Sequence, residues 1–110
     1  MLYAVTLHYR RPKADIEAHL DAHRDWLATH VRTGLILAAG PLDSGAGGLL
    51  LAHAPDRATL DAMLASDAFV IHDLVECEVR GFTPALRCAD FPVHWAPDAK
   101  AVTAAARHPA

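Results

Sequence analysis

Histidine titrates near physiological pH and serves as base, acid or metal ligand, and this chain of 110 residues carries eight. One of them stands out by position. At about 100° per residue, the segment from Asp15 to Thr33 reads as an amphipathic helix, with Ile16, Leu20, Leu27 and Val31 in one narrow sector and Ala28 to its side. Asp21, Asp25, Thr29 and Arg32 fall opposite, where water should be. His23 lies inside the apolar sector, while His19, Trp26 and His30 line one flank of it. A buried imidazole without a partner is costly, so His23 needs one. It is either a general base, with one ring nitrogen held and the other aimed at a substrate proton, or a core histidine satisfied by a backbone carbonyl. Periodicity alone leaves both open.

Other reactive residues carry weaker signals. Asp67, after Ser66 and before a short helical turn, has the position of an N-cap and is also a carboxylate that chemistry could use. His19 and His23 sit at i and i+4, where two imidazoles share a helix face, but no third ligand or H-E-x-x-H pattern accompanies them. No metal site is expected. Leu42 to Gly48 (LDSGAGG) is glycine-rich but has no lysine and no helix after it, so it reads as a turn between strands and not as a phosphate cradle. Cys77 and Cys88 lack a second pair for zinc, and Cys77 falls in an alternating strand as a small core residue or free thiol. No structural disulfide is expected. His8 ends the first strand, at either a pocket rim or a dimer interface; His30 suits a helix C-terminus. Tyr9 and Trp26 read as core or interface aromatics.

The elements that must hold these residues follow from pattern. Leu2 to Tyr9 alternates and is a strand; Arg10 to Lys13 is a loop with Pro12; Asp15 is placed to cap the helix that Gly34 stops. Leu35 to Ala39 and Leu49 to Ala54 are apolar strands. Asp56 caps a helix with Leu60, Met63 and Leu64 on its apolar face, Ala68 to His72 adds a helical turn, and Val75 to Thr83 is the last core strand. The order β-α-β-β-α-β is ferredoxin-like, an α+β fold with two helices on one face of a four-stranded antiparallel sheet. Residues 1–86 form that domain, and 87–110 form a C-terminal extension with a weak helix over 98–107 that would be marginal alone. Both faces of the sheet want cover, and so short a chain has no second helical layer. A homodimer packed sheet to sheet, alone or within a higher oligomer, is the expected answer.

Composition excludes whole classes. A 53% hydrophobic chain with 21% charged residues is compact and not disordered. Its net charge of −3 gives no footprint for nucleic acid, and no apolar run approaches the roughly 18 to 20 residues of a membrane helix. The N-terminus lacks a basic region and cleavage site, so a cytoplasmic protein without a signal peptide is expected.

Several motifs taken together resemble the YCII-related family: His23-x3-Leu27, Gly34 eleven residues after His23, Leu35-Ile-Leu-Ala-Ala-Gly-Pro41, Gly48-Leu-Leu-Leu51 and Ser66-Asp67-Ala68-Phe69-Val70. The resemblance runs over about residues 1 to 85. It implies a dimeric α/β-barrel of ferredoxin-like subunits in which His23 and Asp67 approach each other in a pocket as a catalytic dyad. Pro41 would shape the pocket wall by fixing the strand's exit. The chain departs from the family at Ala68, where proline is usual, at Leu49, where many members have serine, and at His72, a titratable group placed to line the pocket. A characterised branch is dehydrochlorinase-like. The expected activity is therefore cofactor-independent acid/base chemistry on a small organic molecule: proton abstraction, elimination or isomerisation. Alternatives are a non-catalytic small-ligand-binding or accessory module, and a cofactor-free oxygenase of the dimeric α/β-barrel class; the second needs an aromatic-rich cavity that 6% aromatic residues argues against.

Overall fold

A computed structural model describes residues 1–103. Four strands, β1 (Leu2–Tyr9), β2 (Ile36–Pro41), β3 (Gly47–His53) and β4 (Val75–Phe82), form an antiparallel sheet in the order β2-β3-β1-β4. β1 lies at its centre, with Val5 opposite Leu50 on one side and Val79 on the other. Alternation then sends Tyr3, Val5, Leu7, Leu50 and Ala52 to one face, where Ile16, Trp26, Leu60, Met63, Leu64 and Phe69 of the helical layer bury them. The fold is the expected ferredoxin-like α+β arrangement.

The helical layer comprises α1 (Lys13–Ala18), α2 (Leu20–Thr33), α3 (Arg57–Ala65) and α4 (Ala68–Ile71). The first helix expected from periodicity is thus broken in two at His19, whose N–H bonds back to the Ile16 carbonyl at 3.2 Å, a tighter three-residue turn. Asp15 does not cap it: the cap position is Pro12, and Asp15 stands in the first turn, where its charge still complements the helix dipole. Gly34 ends α2 at φ 83°, the left-handed conformation that costs glycine least. Asp56 caps α3 by accepting the Thr59 N–H at 2.8 Å, and this bond holds its carboxyl below the usual aspartate range. α4 ends at Ile71 with His72 as its cap, and the next residue, Asp73 at φ 55°, is gripped by Arg11 at 2.7 Å and Arg10 at 3.3 Å from just past β1.

Close approach explains a glycine in the β2–β3 hairpin. A Cβ at Gly47 would lie 2.0 Å from the Leu7 carbonyl oxygen, so no other residue fits between β3 and β1 there. Pro41 is tolerated because β2 is an edge strand.

The tail differs from expectation. Lys100–Val102 (β6) is extended and pairs in parallel with Leu86–Cys88 (β5), where part of a helix over 98–107 was anticipated. A short alanine-rich helix has little stability of its own, and β5 offers backbone partners; residues 104–107 of that helix lie outside the described residues. The tail returns to the sheet face away from the helices, where Leu86 and Phe91 share a hollow with Leu2, Leu51 and Phe82. The nearby His53 imidazole is pushed below its ordinary pKa by burial, then by the N-terminal ammonium and His94. Among the described residues, no helix is long and apolar enough to cross a membrane.

Candidate active site

α2 and α4 meet at one contact that joins two chemically active side chains. His23 Nδ1 lies 2.7 Å from Asp67 Oδ1, with the His23 side chain 11% and that of Asp67 0% exposed. Asp67 owes its place to backbone chemistry. It stands at the N-cap of α4, and the same Oδ1 accepts the Phe69 N–H at 3.2 Å. A carboxylate there accepts both contacts, and the tautomer that pairs with it carries its proton on Nδ1. His23 is thus an Nδ1–H donor, leaving Nε2 unspent. Asp67 Oδ2 is buried and has no protein partner among the described residues. The cap and the pairing, compatible on the sequence, coexist.

Aromatic packing fixes the imidazole plane. Its ring lies flat against Phe69 at 3.9 Å and 6°, and Trp26 is 5.7 Å away at 26°. Trp26 is itself anchored, its indole N–H donating to the Met63 carbonyl at 3.1 Å and to Ser66 Oγ at 2.9 Å. Periodicity put Trp26 on a flank and Val31 in the core stripe; the structure buries Trp26 under α3 and leaves Val31 47% exposed.

On the other side of His23 the layer opens. A cleft of about 380 Å³ runs between α2 and the β2–β3 edge, lined by Leu20, His23, Arg24 and Leu27 of α2, with Ala39, Gly40 and Pro41 as its far wall. Leu7, Gly48 and Leu50 form the sheet side, and Tyr9 and Phe69 close one end in an edge-to-face pair 6.1 Å apart. The structure thus brings His23, Asp67 and Pro41 together. It does not bring His72 or His8 to this cleft. His72 is exposed and stacks on His19 at 4.0 Å. The His8 ring lies across the open sheet face from Glu78 at 3.3 Å, a bond that, ahead of the Arg80 charge, holds the Glu78 carboxyl low. The i, i+4 histidine pair is likewise divided between His72 and Asp67. Sequence reasoning missed Phe69 and Arg24. Arg24 falls about 100° round the helix from His23 and directly beside Leu20, a signal that was available.

Cys77 of β4 faces the same layer, half-buried; burial chiefly, and the Asp67 charge, push its thiol up. Cys77 and Cys88 are both free thiols.

A family model described as the YCII-related domain matches residues 1–83. The chain belongs to the YCII-related family. Among solved structures it is similar to the 5-chloro-2-hydroxyhydroquinone dehydrochlorinase of Burkholderia phenoliruptrix AC1100, in complex with 2,5-dihydroxybenzoquinone, with a TM-score of 0.65 and 18% identity over 76% of this chain and 95% of that one. At that identity the likeness is one of fold. No functionally curated protein matches the chain.

Proposed function

We propose that the protein is a cofactor-independent acid/base enzyme acting on a small organic molecule, with His23 as the base and Asp67 as the residue that positions it. The observation that carries this reading is the 2.7 Å bond between Nδ1 and a buried carboxylate, made by a histidine that also lines a cleft. Such a carboxylate fixes the tautomer and stabilises the imidazolium formed when Nε2 takes a proton. The substrate's C–H electron pair stays on the substrate as an enolate, which is reprotonated elsewhere for isomerisation or expels a leaving group for elimination. Family membership and the fold shared with a dehydrochlorinase support a reaction of this kind. We place the working form as a cytoplasmic homodimer. The sheet face away from the helices, with Leu49 43% exposed, is the surface for a second copy beyond the part that the tail covers.

Proton abstraction is detectable without knowing the product. A panel of carbon acids incubated with the protein in deuterated water should include one whose acidic C–H exchanges faster than in buffer, read by proton NMR. His23→Gln should abolish the enhancement and Asp67→Asn should lower it about a hundredfold, within the range typical of general-base catalysis. Enhancement that survives His23→Gln, or none anywhere in the panel, would overturn the reading and leave a binding module. Size-exclusion chromatography with light scattering tests the dimer.

A further inference from the structure

α2 brings two polar side chains to the cleft, and only one has a protein partner. The other is Arg24. Arg10 and Arg11 are paired with Asp73, Arg57 with Asp61 and Arg80 with Glu78, while Arg87 donates to the Phe91 carbonyl. Among the described residues Arg24 makes no ion pair and no side-chain hydrogen bond. Arg32 is also unpaired among the described residues but lies in the last turn of α2, outside the cleft. Among the described residues no carboxylate lines the cleft, and Asp67 is wholly buried behind His23. The walls are otherwise leucine, alanine, glycine, proline and two aromatic rings. Arg24, an exposed residue at the border of the cleft, is thus a permanent cation with no anion among the described residues to neutralise it. Beside Leu20 and Leu27, the aliphatic stem of Arg24 can rest on apolar surface and hold the guanidinium at the rim.

A guanidinium offers planar donors that match carboxylate, phenolate or enolate oxygens, and it stays charged at any working pH. We infer that Arg24 recognises an anionic oxygen of the substrate, so that the site selects small organic acids or acidic phenols and enols. The inference rests on the general-base reading above and deepens it. When Nε2 removes a proton, negative charge develops on the substrate, and Arg24 is the cation available to face it.

The test is binding to matched probes that differ in charge: benzoate against benzamide, and 4-nitrophenolate against 4-nitroanisole, followed by NMR shifts of His23 and Arg24 in the full chain. Wild type should bind at least one anion about tenfold or more tightly than its neutral partner, the range of a charge-assisted hydrogen bond. The preference should fall at high salt. Arg24→Gln should remove it while leaving neutral-probe affinity and fold unchanged, and Arg24→Lys should restore part of it. Absence of an anion preference in both pairs, or a preference that survives Arg24→Gln, overturns the inference. So does an Arg24→Gln variant that changes only the oligomeric state, which would assign the residue to an interface. Failure of the base reading looks different: an Arg24-dependent anion preference would persist while proton exchange ignored His23→Gln.

Discussion

The two flanks of α2 both carry aromatic or charged side chains, yet one is closed and the other open. On the closed flank Trp26 is packed under α3 with both ring edge and N–H accounted for. On the open flank Leu20, Arg24 and Leu27 border a cleft. His23 lies between them, its Nδ1 tied to Asp67 and its ring pressed on Phe69. The contrast separates two jobs. One flank holds the imidazole still, and the other leaves room for something to reach it.

The comparison breaks if the closed flank is not what holds the layer together. Trp26→Ala should cost about 3–5 kcal/mol, the range for deleting a buried aromatic ring, and take the indole donor from the Ser66 hydroxyl and from the Met63 carbonyl, which keeps its bonds from Ser66. Denaturant unfolding measures this, and a loss under about 1 kcal/mol would place the stability elsewhere. The open flank should be softer. Leu27→Ala should cost about 1–2 kcal/mol, below the range for fully buried leucines, because the lost atoms border a cleft and leave no sealed cavity. The same denaturant series compares the two. The smallest effect sharpens what lies behind the dyad. Burial and the Asp67 charge disfavour the Cys77 thiolate, so its alkylation should lag behind that of exposed Cys88 at about pH 8. Its rate should continue to climb at pH values where an ordinary thiol has levelled off. Asp67→Asn should speed it slightly, and mass spectrometry after timed iodoacetamide labelling reads both sites.

Much of the fold is legible in the sequence because its signals are local. Alternation marks β1 and β4, Gly34 marks the end of α2, and Asp56 and Asp67 cap the two later helices as their positions suggest. What is not legible depends on neighbours. The apolar stripe ignores that α2 packs on α3 as well as on the sheet, so Trp26 is buried from the flank and Val31 is left at the surface. The tail's alanines favour helix, but parallel pairing with Leu86–Cys88 is a tertiary contact that no local window contains. For the site, His23 announces that it needs a partner; its identity comes from the family resemblance. His72 could as well have turned toward the cleft, and its stacking on His19 has no sequence mark. Arg24 was visible beside Leu20 but drew no reading of its own.

The bond between His23 and Asp67 joins residues 44 positions apart. Between them lie β2, the hairpin, β3 and α3. Closing so long a loop carries an entropic cost that only the intervening contacts repay. A nascent or partly folded chain therefore carries the histidine on its helix without the carboxylate that orients it. Formation of the bond reports that the segment from α2 to α4 has folded, and a hydrogen-bonded Nδ1 proton in the NMR spectrum would serve as a folding clock for it.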